Sequence, residues 1–122
     1  MEIAPIGRVV SNRGGRAEIE VLSEFQDGLY RIEESDELLI LYLFDRADEV
    51  RLRVHPKGDS RNPEVGVFAS RSPMRPNHIA ATVVRLVAVN GNILTVENMD
   101  ALDGSPVVDI KPAKRRDYAN LP

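Results

Sequence analysis

Two stretches of this chain carry residues that could do chemistry. The first is Gly66 to Ala81, GVFASRSPMRPNHIAA. Within it, Ser70-Arg71-Ser72-Pro73-Met74-Arg75-Pro76-Asn77 sets two guanidiniums, two hydroxyls and an amide on a backbone stiffened by Pro73 and Pro76. Such a loop can hold polar groups ready for a ligand. The competing reading is a proline-rich turn with solvated arginines. The second stretch is Leu102 to Pro112, LDGSPVVDIKP. There Asp109 and Lys111 flank Ile110, so on a strand they share one face and form either an acid–base pair or a salt-bridged strand end.

Other chemistries lack their residues. With no cysteine and two histidines, His55 and His78, a transition-metal site is not expected. No glycine-rich nucleotide fingerprint or Walker loop is present, and no G-x-S-x-G elbow supports Ser70 or Ser72 as a nucleophile. The formal net charge of −3 argues against non-specific nucleic-acid binding by the whole chain. Its distribution is uneven, however. Acids dominate from Glu18 to Glu49, whereas Arg51, Arg53, Lys57, Arg61, Arg71 and Arg75 face only Asp59 and Glu64 between Arg51 and His78. Lys111, Lys114, Arg115 and Arg116 add a second basic cluster.

The elements that must position these residues read as strands. Ile3 to Val10 alternates weakly, Ser11 to Arg16 is a glycine turn, and Ala17 to Leu22 alternates at period two. Phe25 to Ile32 reads as one short helix or helical turn. Leu38 to Phe44 is an apolar run suited to a strand buried on both faces. Val50 to Val54 alternates strictly, and Gly66 to Ala69 reads as a short buried strand. Ile79 to Val89, the Asn90-Gly91-Asn92 turn and Ile93 to Glu97 form a hairpin, and Val107 to Ile110 is a last short strand. Strands about ten residues apart with hardly any helix predict an all-β fold, a single-domain barrel or sandwich over residues 1–122. The N-terminus lacks the pattern of a signal peptide, and no apolar run is long enough to span a bilayer. The absence of cysteine fits a reducing, cytoplasmic setting.

The run Val67-Phe68-Ala69-Ser70-Arg71-Ser72-Pro73, followed by Arg75-Pro76-Asn77 and Ile79, resembles the signature of the TsaA-like family, whose characterised members are called TrmO. Leu102-Asp103-Gly104-Ser105-Pro106-Val107-Val108-Asp109-Ile110-Lys111-Pro112 resembles its other hallmark. The resemblance implies a homodimeric β-barrel methyltransferase with S-adenosyl-L-methionine as cofactor, held by loops and so needing no nucleotide fingerprint. It implies tRNA as partner, since characterised bacterial members methylate N6 of N6-threonylcarbamoyladenosine at position 37.

Carried onto this sequence, the resemblance places Arg71, Asp45, Arg46, Ala81 and Met99, Asp100, Ala101 and Leu102 at the cofactor. It also implies backbone approach from the loop Ser11 to Arg16. Asp109 and Lys111 are the candidates for moving the proton of a weakly nucleophilic N6. Arg75 and Asn77 are candidates for holding RNA or fixing their loop, and Lys114 and Arg115 for meeting phosphates. The sequence departs from the family at His78-Ile79-Ala80, where Pro-Ile-Gly is usual, and at Ala113, where tyrosine is usual. The expected organisation is the barrel domain over residues 1–122, without the additional C-terminal domain of bacterial members. A different acceptor for the same cofactor, or a barrel that binds without catalysis, stays open at this level.

Overall fold

In a computed structural model, residues 1–113 are described. Their contacts divide them into two compact units, Met1–Tyr42 with the chain from Ala81 on, and Leu43–Ala80.

The first unit is a closed barrel of strands β1 (Gly7–Arg13), β2 (Arg16–Val21), β7 (Ile93–Glu97), β6 (Ile79–Asn90), β3 (Glu37–Leu43) and β8 (Pro106–Pro112), in that order around the sheet. β1–β2, β2–β7, β7–β6, β3–β8 and β8–β1 pair antiparallel, and β8 returns to β1 through Gly7 with Val107 and Arg8 with Pro106. Alternation builds the interior. Val9, Ala17, Ile19, Val21, Leu38, Ile40, Tyr42, Val84, Leu94, Val96 and Val107 are all buried. Removing each large aliphatic side chain from water contributes roughly 1.5–3 kcal/mol. Register shifts between Val9 and Ser11, between Leu86 and Ala88, and between Leu41 and Tyr42 add the local twist that a small barrel needs to close.

Three expectations change here. The apolar run in β3 is buried on one face only. Leu38, Ile40 and Tyr42 fill the barrel, while Leu39, Leu41 and Leu43 point outward and are half-buried, because a closed sheet has a single inside. The first strand starts later and runs further than its apolar residues suggest. Ser11, Asn12 and Arg13 pair with Glu18, Ala17 and Arg16, and only Gly14 and Gly15 form the turn. Both glycines have positive φ, as a two-residue primed hairpin turn requires. The helical segment is a pair of 3-10 turns, Ser23–Leu29 and Ile32–Glu34. They are separated by Tyr30 and by Arg31, whose φ of 66° lies in the left-handed region.

The second unit contains a two-stranded ladder, β4 (Arg53–Val54) with β5 (Val65–Gly66), and loops folded on themselves. Most of the strand expected over Val50 to Val54 is absent. Val50 and Leu52 are exposed, since a two-stranded ladder is too small to bury a full apolar face. Gly66 to Ala69 is likewise strand only as far as Gly66. Val67–Ala69 is a 3-10 turn closed by the Ser70 N–H and hydroxyl, which both donate to the Val67 carbonyl, and it leaves Phe68 76% exposed.

Candidate functional site

In the barrel unit, the segment from Asn98 to Ser105 is stitched to the β1–β2 hairpin. The Asn12 side chain donates to the Met99 carbonyl at 3.0 Å and the Ala101 carbonyl at 2.8 Å, and it accepts from the Gly15 N–H at 2.9 Å. The Asn12 N–H donates to Asp103 Oδ1 at 2.7 Å, and Met99 N–H donates to the Gly15 carbonyl at 3.0 Å. Met99 and Ala101 are buried as a result, whereas Asp100 and Leu102, expected beside them at a cofactor, are exposed. Asp100 has its own anchor, because the Tyr42 hydroxyl donates to its Oδ1 at 2.9 Å.

Asn12 and Tyr42 were not legible as site residues. Asn12 reads as a turn residue and Tyr42 as core. A phenol within an apolar strand does signal that its hydroxyl needs a partner.

Replacing Asn12 with Ala is expected to lower stability by about 2–3 kcal/mol, because two carbonyls and one N–H lose their partners together. Urea unfolding monitored by circular dichroism checks it. Burial, and then the hydrogen bond and charge of Asp100, hold the Tyr42 phenol well above its usual range. In alkali the unfolded chain gives up this proton near pH 10 while the native chain keeps it. The unfolded state then binds fewer protons, so stability falls as pH rises from that point. In Tyr42→Phe the alkaline arm of stability against pH is expected to be shallower, read from unfolding midpoints between about pH 9 and 11.

Asp109 and Lys111 do share a face of β8, with Nζ to Oδ2 at 3.0 Å. Asp109 Oδ1 also accepts from the Ile110 N–H at 2.9 Å, which fixes the carboxylate. Both residues line a cavity of about 610 Å³ together with Phe25, Tyr30, Arg31 and Ile32 of the 3-10 segment. Ala81, the remaining barrel residue expected at a cofactor, is half-buried on β6.

In the second unit, the motif loop holds itself in shape. The Ser70 hydroxyl accepts from the Ser72 N–H at 3.2 Å, and the Ser72 hydroxyl from the Met74 N–H at 3.2 Å. Arg75 Nη1 donates to the Ser70 carbonyl at 2.8 Å and the Ser72 carbonyl at 3.3 Å. Of the two roles open to Arg75, the geometry shows loop fixing. Arg71 remains exposed and lines a cavity of about 850 Å³ with Arg51, Arg53 and Lys57. Asn77, Asp45 and Arg46 are exposed, the last two in a turn closed by the Ala47 N–H on the Phe44 carbonyl. Lys114, Arg115 and Arg116 lie outside the described residues. Among the described residues, no group of three or more His, Cys, Asp or Glu could hold a metal ion, and no helix is long and apolar enough to cross a membrane.

Residues 4–117 match the model of the tRNA-methyltransferase O N-terminal domain, a span that includes both motifs. The chain belongs to this family. Similar proteins include a "Probable S-adenosyl-L-methionine-binding protein" of Archaeoglobus fulgidus, 55% identical over 95 residues, which cover 78% of this chain and 25% of that one. An "S-adenosyl-L-methionine-binding protein" of the same organism is 47% identical over 95 residues, 78% of this chain and 67% of that one. The crystal structure of TrmO from Pseudomonas aeruginosa superposes with a TM-score of 0.73 at 29% identity, over 100% of this chain and 58% of that chain. The chain therefore spans a quarter of the first relative and under two thirds of the solved TrmO chain.

Proposed function

We propose that this TrmO-family chain is an S-adenosylmethionine-dependent methyltransferase whose acceptor is N6 of N6-threonylcarbamoyladenosine at position 37 of tRNA, working as a cytoplasmic homodimer. The observation that carries the reading is the family match over residues 4–117, which includes both the Arg71 loop and the Asp109–Lys111 strand.

The residues present suit the cofactor. Leu102, 60% exposed beside buried Ala101, offers apolar surface to an adenine ring. Asp100, oriented by Tyr42, offers a carboxylate to hydroxyls or to a cation. Arg71 has the planar fork that matches a carboxylate. Asp45, Arg46 and Ala81 are proposed as further contacts. When bound, the cofactor supplies an electrophilic methyl group on a sulfonium.

The chain's own task is then proton management and positioning. Asp109 takes up the proton of the acceptor N6, and in the free chain Lys111 Nζ, 3.0 Å from Asp109 Oδ2, holds that carboxylate in place. Asn77 and the basic residues of the second unit are proposed to meet RNA. That unit has seven Lys and Arg against five Asp and Glu, while the whole chain is at −3.

The test is transfer of a radiolabelled methyl group from S-adenosylmethionine to tRNA with and without the threonylcarbamoyl group. Label on the modified tRNA alone is the expected result. If neither tRNA is labelled although the cofactor binds, the tRNA assignment is wrong.

A further inference from the structure

The cavity behind Asp109 and Lys111 has a second notable feature, its aromatic rim. Tyr30 is 81% exposed and Phe25 is 42% exposed, on a chain that holds only three tyrosines and three phenylalanines. Exposing a large apolar ring to water is unfavourable, and a cavity edge is where it has a use. Nor is Tyr30 loosely held. Its N–H donates to the Asp27 carbonyl at 3.2 Å, and the next residue, Arg31, adopts a left-handed φ that a bulky side chain seldom takes. The turn continues through Glu34 N–H to the Arg31 carbonyl at 3.1 Å. These features fix the backbone at Tyr30, and with it the point from which the ring projects.

We propose that this cavity seats the acceptor base, a planar heteroaromatic ring carrying a carboxylate, stacked against Tyr30 and Phe25 with Lys111 meeting the carboxylate. The proposal rests on the acceptor assigned above. The volume of about 610 Å³ is in the range of small-ligand pockets. Stacking on an aromatic side chain is the usual way an unpaired base is held by protein.

The cationic groups are suitably placed. Lys111 and Arg31 both line the cavity, and their ion pairs with Asp109 (3.0 Å) and Glu34 (2.8 Å) are solvent-exposed. Such pairs contribute little, so exchanging a partner for a ligand carboxylate is easy. Glu24 and Asp27 also line the cavity, which disfavours bare phosphate and leaves the carboxylate to be met on the Lys111 side. Asp109 on the same wall then faces the edge of the stacked ring.

The chain has no tryptophan, so Tyr30→Trp introduces one selectively excitable tryptophan at the rim. The probes are N6-threonylcarbamoyladenosine and adenosine, each free and within an anticodon stem–loop. Saturable quenching is expected, with the carboxylated base preferred about fivefold or more, and the preference lost in Tyr30→Trp/Lys111→Ala. Phe25→Ala in the same background is expected to weaken binding about tenfold. A Phe68→Trp chain titrated with the free nucleosides reports collisional quenching only. Quenching by the free nucleosides identifies the base itself as the ligand, and quenching by the stem–loops alone identifies RNA as its source.

No saturable quenching by any probe, or the same quenching by the free nucleosides with Phe68→Trp, overturns the proposal. A carboxylate preference that survives Lys111→Ala overturns it too. These outcomes are separable from the methylation assay. Methyl transfer without quenching, at a KM unchanged in Tyr30→Ala, would sink the cavity assignment alone. Quenching without transfer would leave the base site standing and remove the enzymatic reading.

Discussion

Asp109→Asn is expected to transfer methyl groups about one hundredth as fast as the parent chain, or slower, with little change in KM. The amide is the same size as the carboxylate and its oxygen can still accept the Ile110 N–H, so the strand end keeps its shape. Only the capacity to take up a proton is lost. The ion pair with Lys111 also goes, but it is exposed, and its removal costs at most about 1 kcal/mol. Rate and stability should therefore separate, with a near-parental melting curve and a failed single-turnover reaction. Asp109→Glu, which keeps the acid on a longer arm, should recover part of the rate. If Asp109→Asn keeps its rate within a factor of about three, Asp109 is not the proton acceptor, since that role is worth far more.

Restoring the family's usual proline at position 78 is expected to damage this chain. His78 has a φ of 52°, which proline's ring, locked near −65°, cannot reach. Its N–H donates to the Arg75 carbonyl at 3.1 Å, and proline has none to give. Its ring Nδ1, which must carry the proton, lies 2.8 Å from the Pro73 carbonyl and ties the two ends of the motif loop together. His78→Pro removes all three features and is expected to cost roughly 3 kcal/mol. A melting temperature lower by about 10 °C is the corresponding shift in calorimetry. His78→Gly is the control. It tolerates the positive φ and keeps the N–H, so it should lose only the side-chain tie and about 1 kcal/mol. Equal damage from Pro and Gly would show that the side chain, not the backbone, makes the turn. The histidine is thus one half of a local solution in which a left-handed residue closes the loop.

The strands next to a tight hairpin turn were the easiest to read, whereas the strict alternation of Val50 to Val54 gave only the two-residue strand Arg53–Val54. Ala17 to Leu22, Ile79 to Val89 and Ile93 to Glu97 lie on observed strands to within a residue or two. Asp109 and Lys111 were also legible as a pair, because period two puts alternate residues on one face whatever the strand pairs with. Arg75 was legible as a loop residue without its partners, since its acceptors are backbone carbonyls, which every residue has.

What the sequence by itself determined is the set of local periodicities, and through them an all-β chain, together with the two motif blocks that mark the family. Those depend on residues near one another along the chain. What only the tertiary structure decided is which groups meet across long separations. Asn12 reaches Met99 and Ala101, Tyr42 reaches Asp100, and Phe25 and Tyr30 share a cavity with Asp109 and Lys111. Closure decided the rest. Once β8 returns to β1, one face of every strand becomes interior, so Ile40 is buried and Leu41 is not, although both are apolar. Period and propensity act over a few residues, whereas barrel closure is a property of all six strands at once.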